Sequence, residues 1–395
     1  MLKAFKYRIY PTEEQKELIN KHIGSARFVY NLALETKQTA YISAKKNLSC
    51  FDLINQIPEL KKQCAWLKEV NSQSLQQSIV NMESAFKLFF KGITEFPKYK
   101  SKHGKQSFQV PQHLELDVKK QEIFLPKFKQ PIKIVLHRNF KGDIKTSTIS
   151  KTPTGKYFIS ILVDNNKELP KTKPIKEKTA IGIDLGIKSL IVTSDGLQVD
   201  NPKYLKQSLQ RLKVLQKRAS KKVKGSSNRK KQNRKVARIH EIVTNQRKDF
   251  LHKLSHKIIS ENQTICIEDL AVSNMVKNHK LAQSISDSGW VMFVNMLQYK
   301  SEWQGKNVVK IGRFEPSSKL CNVCGSINHD LTLSDREWLC ACGINHDRDL
   351  NAAINIKKFA LKLKISGTER TVEPVELPTL VGALKQEAPS PLGNG

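Results

Sequence analysis

The run AIGIDLGIKSL, residues 180–190, carries an acid, Asp184, at the centre of an otherwise apolar stretch. Strand alternation places Ile181, Ile183 and Leu185 on one face and Gly182, Asp184 and Gly186 on the other. Glycines on either side of the acid leave room for a second backbone or a ligand to come close. A second apolar strand, QTICIEDL (263–270), ends in Glu268 and Asp269. It follows a helical stretch, FLHKLSHKIIS, long enough to cross over to a parallel neighbour, so Asp184 and Glu268 are expected at adjacent strand positions. A third acid comes from HDRDLNAAINIKKFA, where Asp347 and Asp349 immediately precede a helix with apolar positions at Leu350, Ala353, Ile354 and Ile356. The helix dipole favours an ionised carboxylate there. Singly, each acid is ordinary surface chemistry at an element's end. Three from separate segments in a strongly basic chain suit two divalent metals about 4 Å apart. Oxygen ligands select Mg2+ or Mn2+ over zinc. The chemistry expected is metal-dependent phosphodiester hydrolysis, with one ion activating water and the other stabilising the leaving 3′ oxygen.

The cysteines point to a separate centre. Four of the chain's seven fall in Cys321-x-x-Cys324 and, fifteen residues on, Cys340-x-Cys342, with Gly325 and Gly343 each following a pair. Four thiolates give closed, tetrahedral coordination, so one structural Zn2+ is expected, with His329 and His346 as bystanders. The second pair is tighter than the usual spacing. The zinc segment interrupts the sheet just before the last acid and is expected to position Asp349.

These residues need elements to carry them. The opening LKAFKYRIY alternates like a strand, Pro11 breaks it, and Thr12 with Gln15 forms a capping-box signature for a helix. Helical apolar spacing continues through Leu18, Ile19, Ile23, Ala26, Val29, Tyr30 and Ala33, and again over Ser72 to Phe90, making 12–92 a helical unit with helix-turn-helix character. From Phe96 the texture changes to short strands separated by turn residues: SFQVP, QEIFLPKF, PIKIVLH, STISKT and KYFISILV. They read as a β-barrel whose first strand is the N-terminal one. The polar, proline-bearing KELPKTKPIKEK (167–178) marks a domain boundary. Beyond it, a strand pair with an acid on its first strand is how a ribonuclease-H-like mixed α/β sheet begins. After Ser366 the chain loses periodicity and is expected to be disordered.

Charge names the partner class. Lys and Arg number 68 against 36 Asp and Glu, a net charge of +32, which favours a polyanion through counterion release. Lys217 to Arg238 packs 11 basic residues into 22 with no acid to neutralise them. FPKYKSKHGK interleaves aromatics with four lysines, which suits sugar-phosphate contact. No apolar run approaches membrane-spanning length. With no secretory signal and a metal-like cysteine pattern, a cytoplasmic, nucleoid-associated protein is expected.

Together KYRIYPTEEQ, WLKEVNSQSLQQSI, FPKYKSKHGKQSF, GIDLGIKSL, KVARIHEIVTNQRKDFLHKLS, IEDLAVSNM, PSSKLCNVCGS and CGINHDRDLNAAINI resemble the TnpB family, transposon-encoded relatives of type V CRISPR effectors. The resemblance covers the chain to about residue 365. It implies an RNA-guided DNA endonuclease that takes a noncoding guide RNA from the transposon end. The target would be double-stranded DNA, cut beside a short motif. It implies a RuvC-type nuclease domain over 178–315 and 345–365, with a zinc-binding insertion at 316–344. A wedge-like barrel would span 1–10 and 96–170, and recognition helices 11–95. Asp184 and Glu268 take the first two acid roles, and Asp349 the third, with Asp347 as the alternative. Nucleic-acid contacts fall on Lys98, Lys100, Lys217, Arg218, Lys221, Lys222, Arg229, Lys230 and Arg234, and motif reading on Gln76 and Gln77 together with Lys98 to Lys100.

Three other readings use some of the same residues. A strand-joining transposase also employs three acids. A guided binder without cleavage would not need them. A sugar-kinase-like or actin-like ATPase shares the GIDLG-type strand, but the sequence offers neither a further Gly-rich phosphate loop nor an adenosine pocket.

Overall fold

The structure, a computed structural model of the full chain, describes residues 1–332 and 334–365. The tail from residue 366, expected to be disordered, lies outside the described residues. The chain divides into two units, Met1–Lys167 and, among the described residues, 168–365.

The first unit opens with β1 (Leu2–Tyr10) and a 32-residue helix, α1 (Glu13–Ala44). Thr12 caps α1, and Gln15 returns the bond to the Thr12 N–H, so the capping box is complete. Short helices α2 (Cys50–Asn55) and α3 (Ile57–Gln63), rather than a tight turn, lead to α4 (Ser72–Phe90). Then come β2 (Gln106–Val110), β3 (Glu115–Asp117), β4 (Glu122–Phe124), β5 (Ile132–Val135), β6 (Asp143–Lys151) and β7 (Tyr157–Asp164). They form one antiparallel sheet in the order β2-β6-β7-β1-β5-β4-β3, with β1 at its centre. The order has two ends, so the expected β-barrel is a half-barrel. The two halves of α1 have different work. Ile19, Ile23 and Ala26 join the sheet core around Tyr7, Phe108 and Ile134, whereas Val29, Ala33 and Leu34 pack with Leu75, Ile79 and Met82 of α4.

The second unit is built on a mixed sheet. It contains β8 (Ala180–Leu185), β9 (Ser189–Thr193), β10 (Gln198–Asp200), α5 (Tyr204–Ser220), α6 (Ser227–Glu261), β11 (Thr264–Glu268), α7 (Val272–Met275), α8 (His279–Ser288), α9 (Trp290–Trp303) and β12 (Asn307–Ile311). The strands lie in the order β10-β9-β8-β11-β12, antiparallel from β10 to β8 and parallel from β8 to β12. Ile181, Ile183, Ile265 and Ile267 face Leu254, Ile258, Phe293 and Leu297 of α6 and α9. Burying each such side chain contributes about 2 kcal/mol, which fixes the strand register on this side. The opposite face, with Cys266, Val309 and Ile311, packs against Ile356 and Ala360 of the last helix. That helix, α10 (Arg348–Ile365), follows the small hairpin β13 (Glu337–Leu339) and β14 (Asn345–Asp347).

The basic tract and the crossover stretch, read separately in the sequence, meet in one continuous helix. At 35 residues α6 is roughly 52 Å long. It pairs with α5 through a seam of Leu212, Ile239 and Val243. Lys203 offers α5 no side-chain cap, and Asp287 of α8 supplies one instead. Its carboxylate accepts the N–H groups of Leu205 and Lys206 and pairs with Arg247 at 2.8 Å. No helix among the described residues is long and apolar enough to cross a membrane.

Candidate active site and metal centre

The register of β8 and β11 brings two of the acids together. Ile265 pairs with Ile181, Cys266 with Gly182 and Ile267 with Ile183, so the next step sets Glu268 beside Asp184. Parallel neighbours lie about 4.8 Å apart, and both side chains leave the sheet on the face that α10 covers.

Gly182 makes room for the third. A Cβ at this position would lie 2.0 Å from the Ala353 carbonyl oxygen and 2.9 Å from Lys357 Cβ. The helix therefore rests on bare strand backbone two residues before Asp184, and Ala353 stands one turn after Asp349. This contact delivers the first turn of α10 to the two strand acids. The Asp184 carboxyl registers the result: its pKa rises to about 8, first through burial and then through the charges of Glu268 and Asp349, with Arg348 acting in the opposite sense. Asp347 goes elsewhere. It is exposed, and its Oδ1 accepts the Leu350 N–H at 2.8 Å, so it caps α10. Asp269 is likewise spoken for, in an ion pair with Arg313 at 2.6 Å.

Several neighbours of the acids were not singled out in the sequence. Ser317 donates its hydroxyl to Glu268 Oε1 at 2.5 Å. Arg348 donates Nη2 to Asp349 Oδ1 at 3.0 Å, and Arg336 lies 3.4 Å from Asp349 Oδ2. Asn351 and Asn355, four residues apart on α10, are buried against the segment that leads to Cys321. Their spacing puts them on one helix face, a signal the sequence does contain.

The four cysteines converge as their spacing requires. The Sγ atoms of Cys321, Cys324, Cys340 and Cys342 all lie within 4.8 Å of one another, with 3.8 Å between Cys321 and Cys342 and 3.5 Å between Cys324 and Cys340. A tetrahedral zinc with Zn–S bonds of about 2.3 Å needs sulfurs about 3.8 Å apart, so the donor set fits. Gly325 and Gly343 take φ of +77° and +86°, turning the chain back after each pair. Hydrogen bonds from Ser326, then from neighbouring cysteines, draw the Cys324 thiol down to about 6. His346 is buried, lies tilted against the Trp338 ring and places Nε2 3.1 Å from Cys321 Sγ, while His329 is exposed.

The nucleic-acid candidates scatter over both units. Lys217, Arg218, Lys221, Lys222, Lys230 and Arg234 are all exposed on α5, α6 and their junction. Arg229 is half-buried, and its Nη1 donates to the Lys222 carbonyl at 3.0 Å, closing that junction. In the first unit Lys98 pairs with Glu95, and Lys100 sits 3.6 Å over the Tyr30 ring. Gln76 is exposed and Gln77 half-buried on α4.

Known proteins resemble this chain over most of its length. Residues 160–279 match the family described as "Probable transposase", 290–356 the "Cas12f1-like, TNB domain" and 1–46 a "Helix-turn-helix domain". The last segment holds β1 and the single helix α1. A protein of Streptomyces pristinaespiralis named "Putative RNA-guided DNA endonuclease" is 40% identical over 370 residues, covering 92% of this chain and 91% of that one. The chain belongs to the TnpB family. An Escherichia coli member, "Putative RNA-guided DNA endonuclease InsQ", is 32% identical over 90% of this chain and 91% of its own. A mimivirus "TnpB-like protein L79" is 25% identical over 90% of this chain and 73% of its own. Among solved structures, the protein of a "Cas12f1-sgRNA-target DNA complex" shares the fold at a TM-score of 0.56 and 14% identity, over 90% of this chain and 98% of that one.

Proposed function

We propose that this TnpB-family protein is an RNA-guided DNA endonuclease of an insertion sequence. It binds a noncoding RNA from the transposon end as its guide and cleaves double-stranded DNA beside a short motif. Two close relatives carry that name, and a charge of +32 suits partners made of phosphate. The observation that carries the reading is the half-buried Asp184 carboxyl, set beside Glu268 and Asp349, whose combined charge a bound cation would relieve.

In this reading 178–315 and 345–365 are the RuvC-type nuclease domain, with 316–344 its zinc-binding insertion. Residues 1–10 and 96–170 form the wedge and 11–95 the recognition helices. Asp184, Glu268 and Asp349 hold two Mg2+ or Mn2+ ions. When bound, the ions supply Lewis-acid chemistry, activating water and stabilising the leaving 3′ oxygen. Asp184 gives up its proton on loading. Asp349 must exchange its guanidinium partners, Arg348 and Arg336, for the cation. Glu268 is oriented by the Ser317 hydroxyl. Cys321, Cys324, Cys340 and Cys342 bind one Zn2+, which is structural because the four thiolates leave it no open position. Guide and target backbones track over Lys98, Lys100, Lys217, Arg218, Lys221, Lys222, Lys230 and Arg234, while Arg229 braces the loop. Gln76 and Gln77 read the adjacent motif, and base pairing reads the rest of the target.

The test is to purify the protein with its RNA, sequence that RNA and assay a plasmid carrying the matching target. RNA ending in variable flanking sequence and Mg2+-dependent cutting are expected, with Asp184→Ala at least a thousandfold slower while retaining RNA. Equal cutting by Asp184→Ala, or full activity without RNA, would refute the proposal.

A further inference from the structure

Between the acids and the cysteines runs a segment, residues 312–321, without helix or strand over most of its length. Its first four residues are exposed, whereas Ser317 and Cys321 are buried, and turn bonds such as Leu320 N–H to the Pro316 carbonyl hold the stretch between them. Three buried side chains connect it to both sites. Ser317 donates its hydroxyl to Glu268 Oε1, and its own carbonyl accepts Nδ2 of Asn355 at 2.8 Å. The same Asn355 Nδ2 reaches the Leu320 carbonyl at 2.6 Å. Asn351 donates Nδ2 to the Ser318 and Leu320 carbonyls at 3.3 and 2.8 Å, and its Oδ1 accepts the Asn322 N–H at 3.0 Å. The backbone of Cys321, the first thiolate, is therefore bracketed on both sides by bonds to α10. Asn351 sits two residues after Asp349 on that helix. Ser317, Asn351 and Asn355 are 4%, 1% and 1% exposed, so solvent cannot replace these bonds.

We infer that Ser317, Asn351 and Asn355 are positioning residues through which the zinc segment sets the cation affinity of the acid site. Ser317 fixes the Glu268 carboxylate directly. Asn351 and Asn355 fix α10, and with it Asp349, to the backbone around Cys321. The inference rests on the nuclease reading above and extends it: the zinc segment acts on catalysis through the Ser317 bond to Glu268 and the anchoring of α10, beyond stabilising its own loop. Partners one bond removed from a ligand typically change metal affinity tenfold to a hundredfold when lost.

The test measures Mn2+ binding to the full chain without RNA by electron paramagnetic resonance, alongside the Mg2+ dependence of cleavage by the RNA complex. Ser317→Ala is expected to weaken Mn2+ binding about tenfold and to raise the Mg2+ concentration for half-maximal cutting by a similar factor, with thermal melting and zinc content unchanged. Ser317→Thr, which keeps the hydroxyl, is expected to restore most of the affinity. Asn351→Ala is expected to lose both Mn2+ affinity and resistance of the zinc to chelators. If Asn351→Ala does not fold, the Ser317 pair still decides. Unchanged Mn2+ affinity in Ser317→Ala, or a threonine variant no better than alanine, overturns the inference alone. A wild-type chain that binds no Mn2+ overturns the nuclease reading and this inference with it.

Discussion

At the scale of single residues, Asp184 has the most to reveal because two opposing demands meet on it. Burial and two neighbouring carboxylates raise its pKa to about 8, whereas chelating a cation requires it ionised. The folded pKa lies above the unfolded one, so between roughly pH 4 and 8 the native state holds the extra proton. The metal-free protein is expected to lose stability as pH rises through that window, and Mg2+ to restore it. Binding at pH 6 should then release about one proton that binding at pH 9 does not. Calorimetry in buffers of different ionisation enthalpy measures this directly. Proton release that is the same at both pH values, or that persists in Asp184→Asn, would contradict the assignment. The type and position of this acid were legible in the sequence, as were Glu268 and the four cysteines, because strand alternation and knuckle spacing are local. The choice between Asp347 and Asp349 was not settled by the residues alone. It turns on which side chain caps α10, and Asp347, two residues before Asp349, is the one that does.

At the scale of elements, the site depends on how closely α10 lies on β8. The sequence showed a glycine that admits a neighbour; only the structure says that the neighbour is the Ala353 carbonyl. Gly182→Ala is expected to push the helix off the strand, destabilising the second unit by roughly 3 kcal/mol. Because the displaced helix carries Asp349, cutting should fall more than the stability loss accounts for. Gly24, inside α1 with nothing within 4 Å of a built Cβ, is the contrast. Alanine there should stabilise the first unit by up to about 1 kcal/mol. Denaturant titrations of both variants, with cleavage measured well below either midpoint, separate the two outcomes. A neutral Gly182→Ala would mean that the contact is looser than it looks. Most strands and the ends of α4 were readable from periodicity and turn residues. The length of α6 was not: its N-terminal half has few apolar positions, and its seam with α5 rests on residues such as Leu212 and Ile239 that meet only in the fold. Ser317 stayed hidden for the same reason, and the spacing of Asn351 and Asn355 marks a shared helix face without naming the distant backbone groups they bond.

At the scale of the whole molecule, charge is the organising quantity. A surplus of 32 positive charges opposes folding by self-repulsion, and the exposed basic residues of α5 and α6 concentrate that repulsion at one place. Asp287 and Arg247 hold the base of this helical pair, and the Arg229 side chain closes its tip, which leaves Lys221, Lys222 and Lys230 projecting into solvent. A surface built this way binds phosphate by releasing condensed counterions, so its contribution appears in the salt dependence of affinity. Each phosphate neutralised adds about 0.9 to the magnitude of the slope of log K against log salt on duplex, and about 0.7 on single strands. Replacing Lys221, Lys222 and Lys230 together with alanine should reduce that slope by about 2 to 3. The folded state should be unharmed, because none of the three is buried. Arg229→Ala should change the slope by less and stability by more, since that guanidinium is already committed to the Lys222 carbonyl. Fluorescence anisotropy of the guide RNA across a salt series reads both effects. A triple variant with the wild-type slope would place the nucleic-acid path on some other surface of the chain.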